Sequence, residues 1–92
     1  QAQKLQEQMG KAQEELDARE YEAASGGGMV KVKVSGTRQI LSLEIDPSVI
    51  DADDKEILED MIMAAANEAL RTAEETREAA MARLSPGMGG MF

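Results

Sequence analysis

The sequence predicts an α+β subunit: a long N-terminal helix, a small antiparallel sheet of two to three strands, and a long C-terminal helix. Three observations predict it. Ala2, Leu5, Met9, Ala12 and Leu16 recur at alternating steps of three and four residues. Val30, Val32 and Val34 fall at every second position before Gly36, and Leu41, Leu43 and Ile45 do the same after it. No Gly or Pro interrupts the chain between the start of the last segment, near Asp51, and Pro86. These place one domain over residues 1–84, with helices over 1–20 and about 52–84 and strands over about 20–25, 29–35 and 38–46, followed by a flexible Gly/Met-rich tail over 85–92.

The first helix carries a stripe narrower than the face of an ordinary globular helix, close to a heptad seam. Such a stripe packs either on its own domain or against a second helix, within the chain or across a dimer. Gly10 beside it costs about 1 kcal/mol relative to Ala. Around Tyr21 and Ala23 a short alternation suits an edge strand, and Gly26-Gly27-Gly28 then supplies three residues of wide backbone freedom. The strands on either side of Gly36 predict a hairpin. With Gly36-Thr37 as a two-residue type II′ loop, Val32 faces Leu41 and Val30 faces Leu43, so both apolar sets share a face, and Lys31 faces Ser42. On that reading Leu41 belongs to the sheet–helix core, and Leu41→Asp unfolds the chain.

Asp46-Pro47-Ser48 ends the strand. The carboxylates at Asp51, Asp53 and Asp54 suit the start of the second helix, where they cap it or complement its dipole. Its stripe is rich in Ile, Leu and Met up to Ile62 and mostly Ala beyond. A helix of about 32 residues spans about 48 Å, against a diameter of about 30 Å for a compact domain of this size. Its far half must protrude or pack on a partner. The candidate core and dimer residues are therefore Leu5, Met9, Leu16, Val30, Val32, Val34, Leu41, Leu43, Leu58 and Ile62.

Composition narrows the function. The only aromatic residues are Tyr21 and Phe92, so a lone subunit has little bulk to bury and a partner copy is expected. The absence of Cys and His removes disulfides, thiolate metal sites and the commonest general base. The five serines have no His partner, the Gly run precedes a strand rather than a helix, and the acidic run lacks the spacing of a calcium loop. No enzyme, metal or cofactor is expected. No apolar run is long enough to span a membrane and no signal-peptide pattern is visible, so a cytoplasmic location is expected. The chain opens at Gln1 rather than Met, and a short preceding segment is expected.

The net charge of −8 argues against a general polyanion binder, but its distribution is uneven. Residues 1–50 carry six basic and eight acidic groups, residues 51–92 four and ten, and six of those ten lie between Asp51 and Asp60. A nucleic-acid surface would be local and would lie away from that cluster. The candidates are Lys31, Lys33 and Arg38 on the hairpin, Lys4, Lys11 and Arg19 on the first helix, and Arg71, Arg77 and Arg83 on the far half of the second. On charge alone, each is as well explained as a solvated partner for a neighbouring acid, as in Lys11 with Glu15 or Arg71 with Glu75.

Several stretches, in order, resemble the YbaB/EbfC family of nucleoid-associated proteins. They are Gln1 to Met9 (QAQKLQEQM), Ser25 to Gly36 (SGGGMVKVKVSG), Ile45 to Ser48 (IDPS), Asp54 to Asp60 (DKEILED) and Ala66 to Leu70 (ANEAL), with a similar Gly/Met-rich tail. The resemblance implies a helix–sheet–helix subunit, a cytoplasmic, nucleoid-associated homodimer with protruding helices, and binding to double-stranded DNA with little sequence selectivity, bearing on nucleoid organisation and gene expression. The alternative is a coiled-coil-like interaction module that docks a replication or recombination-repair protein without touching DNA. The acidic balance favours it.

Overall fold

The structure is a computed structural model that describes residues 2–84. Helix α1 spans Ala2–Ala18, strands β1, β2 and β3 span Glu20–Ser25, Val30–Ser35 and Ile40–Ile45, and helix α2 spans Lys55–Leu84. Short 3-10 turns lie at Gly26–Gly28, Pro47–Val49 and Ala52–Asp54. The strands form one antiparallel sheet in the order β1-β2-β3. The expected tail over 85–92 lies outside the described residues.

The core is built from small side chains. Val30, Val32 and Val34 on the middle strand are buried against Ala65, Ala69 and Ala73 of α2. Alanines at this face let the helix axis approach the sheet closely, which compensates for the lack of aromatic bulk. Tyr21 and Ala23 on β1 and Leu58, Met61, Ile62, Ala66 and Leu70 on α2 pack partly buried around that centre. The Ser25 hydroxyl donates to the Met61 carbonyl at 2.6 Å, tying the end of β1 to the helix.

The glycine run between β1 and β2 turns with all three residues at positive φ (61, 69 and 96°), conformations open to glycine. Of the carboxylates expected at the start of the second helix, Asp51 caps the short turn that leads into it, and Asp46 caps the turn before that. Asp46 accepts from the Ser48 amide at 2.8 Å and Asp51 from the Asp53 amide at 2.9 Å. The backbone and side chain of Ser48 hold the Asp46 carboxyl below its ordinary range. The cap therefore contributes in full above that range and is lost as pH falls through the lowered value. Acid titration followed at the Ser48 amide checks this.

The hairpin departs from expectation. The Arg38 amide donates to the Ser35 carbonyl and the Ser35 amide to the Gln39 carbonyl, at 2.9 and 2.8 Å. The loop is thus three residues, with Arg38 rather than Gly36 at positive φ (66°). A further irregularity at Lys33/Val34 leaves Leu41 without a directly opposed residue. Val32 consequently faces Leu43, Val30 faces Ile45 and Lys31 faces Glu44. Beyond the irregularity the shift is by two positions, so Leu43 and Ile45 keep their face, while nearer the loop it is by one and brings Ile40 opposite Val34.

The larger correction concerns what covers that face. Helix α2 packs on β1 and β2, and β3 lies beyond it. Leu41 and Leu43 remain 47% and 46% exposed, and Ile40 58%. None of the three belongs to the sheet–helix core, so Leu41→Asp does not unfold the chain by burying a charge. Along α1, Leu16 is buried at 3%, Ala12 and Met9 are half-buried, and Leu5 is 49% exposed. The α1 stripe is thus covered only near its C-terminal end.

Gly36 has a different role from the one its position suggests. A Cβ there would overlap the Leu16 carbonyl and stand 3.0 Å from the Asp17 Cα. It is small because the end of α1 crosses over it, and its amide donates to the Arg19 carbonyl at 2.9 Å. Gly36→Ala should lower stability by about 1–3 kcal/mol, the cost of overpacking a closed contact. Gly10→Ala, where a Cβ meets nothing within 4 Å, should raise it by up to about 1 kcal/mol. Urea unfolding of the two variants checks both signs.

Candidate nucleic-acid interface

The basic residues fall into three places. Lys31 and Lys33 stand on the face of the sheet away from α2, in a field of mixed sign. Glu44 opposes Lys31, Glu22 opposes Lys33, and the Lys33 ammonium lies 3.6 Å from Glu20. Arg38 projects from the hairpin loop and reaches Glu74 at 4.0 Å. Exposed pairs of this kind contribute little to stability, but each neutralises a cation that would otherwise face a phosphate.

The second place is the body of α2. Arg71 bonds to Glu68 at 2.6 Å, one turn back, rather than to Glu75. Arg77 is the least exposed of the paired cations. It donates to the Asp17 carboxylate of α1 and, at 3.2 Å, to the Gly36 carbonyl of the hairpin. Asp17 and Gly36 carried no signal in the sequence, because they lie 60 and 41 positions from Arg77 and share no helical spacing with it.

The third place is the projecting arm, where α1 and the far half of α2 leave the sheet together. Arg19, at the base of α1, bonds to Glu15 at 2.9 Å, and this contact holds its guanidinium above the ordinary value. Lys4 and Lys11 on α1 and Arg83 near the end of α2 enter none of the ion pairs found among the described residues. The expected Lys11–Glu15 pair is not formed. An open crevice lined by Ala12, Leu16, Thr76, Ala79 and Arg83 separates the two helices along the arm.

The arm makes the subunit elongated. Its principal extents are 61 × 26 × 15 Å and its radius of gyration is 17.6 Å, against about 12 Å for a compact chain of this length. The acidic cluster lies at the opposite end of α2. From Asp60 to Arg83 is about 35 Å of helix, several times the screening length of about 8–10 Å at physiological salt. The six carboxylates between Asp51 and Asp60 therefore exert little repulsion where Lys4, Lys11 and Arg83 stand.

This arrangement of helix, three-stranded sheet and long projecting helix has relatives. The family model described as the YbaB/EbfC DNA-binding family matches residues 1–88. The chain belongs to the YbaB/EbfC family. A nucleoid-associated protein of Clostridium novyi is 51% identical over 94 aligned positions, covering 100% of this chain and 82% of that protein. A nucleoid-associated protein of Thermoanaerobacter pseudethanolicus is 48% identical, covering 100% and 85%. The crystal structure of an uncharacterized protein from Helicobacter pylori superposes with a TM-score of 0.78 at 26% identity, covering 90% of this chain and 87% of that one. The family resemblance drawn from the motifs is thus correct, as is the helix–sheet–helix fold. Among the described residues no helix of this YbaB/EbfC member is long and apolar enough to cross a membrane.

Proposed function

We propose that this chain is a nucleoid-associated protein that grips double-stranded DNA as a homodimer, through phosphates and with little preference for sequence. The observation that carries the reading is the projecting arm, with Lys4, Lys11 and Arg83 outside any ion pair and the acid cluster at the far end of α2, in a member of a DNA-binding family. Long flexible cations on exposed helices neutralise phosphates without reading base edges. Among the nine candidates the arm residues are favoured over the hairpin. Lys31 and Lys33 are balanced by Glu20, Glu22 and Glu44, and Arg38, Arg71 and Arg19 are each committed to a carboxylate.

The dimer rests on β3. Ile40, Leu41 and Leu43 form an exposed apolar row on the strand that α2 leaves uncovered, and Met63 stands 54% exposed on α2. A second copy offers the same row, so a two-fold contact buries both at once. Two copies also set two arms at a fixed span, which multiplies the attraction of a few cations on each. A second reading draws on the acidic balance: the same row docks a replication or recombination-repair protein, and DNA is not touched. Such a protein gives no mobility shift even at 50 mM salt.

Two outcomes are expected. DNA affinity should fall steeply between 50 and 200 mM salt and vary little among duplexes of different sequence. Lys4→Gln with Lys11→Gln should flatten the dependence of log K on log salt by about 0.9 for each phosphate that is no longer neutralised. An unchanged slope with unchanged affinity removes the arm from the interface. Leu43→Asp should keep the helical circular-dichroism signal and halve the mass seen by light scattering. Retention of the full mass would place the dimer contact elsewhere.

A further inference from the structure

The arm raises a mechanical question: what holds α1 at its angle? Of its apolar stripe only Leu16 is fully buried, Ala12 and Met9 are half-buried, and a crevice opens between α1 and α2 beside them. A helix anchored at one end by one buried leucine would pivot. The remaining attachments converge on one point. The Gly36 amide donates to the Arg19 carbonyl at 2.9 Å, the end of α1 lies on the bare Gly36 backbone, and the Arg77 guanidinium bonds to both Asp17 and the Gly36 carbonyl. One side chain of α2 thereby joins the last turn of α1 to the tip of the hairpin.

We propose that Arg77 is a positioning residue that latches α1 against the sheet, so that Lys4 and Lys11 are presented at a fixed direction, and that it does not itself contact phosphate. The proposal rests on the DNA-binding reading above for its consequence, but not for its geometry. Both bonds leave one terminal nitrogen of the planar guanidinium, Nη2, whose two hydrogens diverge, one toward a carboxylate and the other toward a backbone carbonyl. Both lie on elements that must be held together for α1 to keep its direction. Lysine offers the charge on a stem one bond shorter and without the planar geometry, so it should restore only part of the function.

The test separates a latch from a phosphate contact by the sign of a charge change. Asp17→Asn removes a negative charge from a DNA-binding arm, so simple electrostatics predicts tighter binding. The latch predicts weaker binding, by about 3- to 30-fold, with Arg77→Ala similar and the double variant no weaker than either alone, as expected for one coupled contact. The salt slope of Asp17→Asn should match that of the parent, and Arg77→Lys should recover part of the affinity. Tighter or equal binding by Asp17→Asn, together with a flatter salt slope for Arg77→Ala, overturns the proposal in favour of direct contact. The chain has no Cys, so spin labels can be placed through Gln3→Cys and Glu59→Cys, with labelled protein diluted into unlabelled protein. The distance distribution should be narrow in the parent and broaden in Asp17→Asn. An unchanged distribution sinks the latch even if DNA binding is abolished. If the parent protein fails to bind DNA at all, the function proposed above fails, and the label distances still decide the latch.

Discussion

Val30, Val32 and Val34 meet Ala65, Ala69 and Ala73 where side chains on both elements are small, and the helix settles close against the β1–β2 side of the sheet. That contact governs the rest of the molecule. The helix lies over β1 and β2, on one side of the sheet's centre, and leaves β3 uncovered. A helix of 30 residues is far longer than six-residue strands, so its second half runs past the sheet. The uncovered strand follows from where the helix sits, and the projecting arm from its length. A bulkier core would push the helix away from the sheet, and a shorter helix would leave no arm.

The same geometry explains how a chain of net charge −8 can serve as a DNA-binding protein. Charge matters over a distance of about one screening length, and α2 is several times longer than that. Carboxylates at its first turns and just before it cap and solvate that end, while cations toward its far end and on α1 stand in a different electrostatic neighbourhood. Away from the arm the candidate cations are matched by acids, whereas of the arm's four only Arg19 is. The few that are not become the ones able to exchange a solvent counterion for a phosphate. Affinity built from so few contacts per subunit would be modest, and a second copy would add to it.

Arg77 shows how a residue type suited to phosphate can be occupied otherwise. Its partners come from the end of α1 and from the hairpin loop, and the bare backbone of Gly36 is what lets those elements approach. Glycine here serves proximity, not an unusual backbone angle. The residue at positive φ in the same loop is Arg38, which carries a side chain.

Sequence by itself determined the order and kind of the elements, the alternating face of the strands, the buried valines, the capping carboxylate at Asp51, and the family. Each depends on local periodicity or on residue types at fixed short spacing, which the chain carries whatever it packs against. Tertiary structure decided the hairpin register, because a three-residue loop and an irregularity at Lys33/Val34 are set by how the strands close rather than by the Gly36 signal. It also decided that Leu5, Leu41 and Leu43 lie in the open, since an apolar face states what can be buried and not what arrives to bury it. And it alone joined Asp17, Gly36 and Arg77, because a contact across 60 positions leaves no mark on local spacing and exists only once helix, loop and helix have been brought to one point.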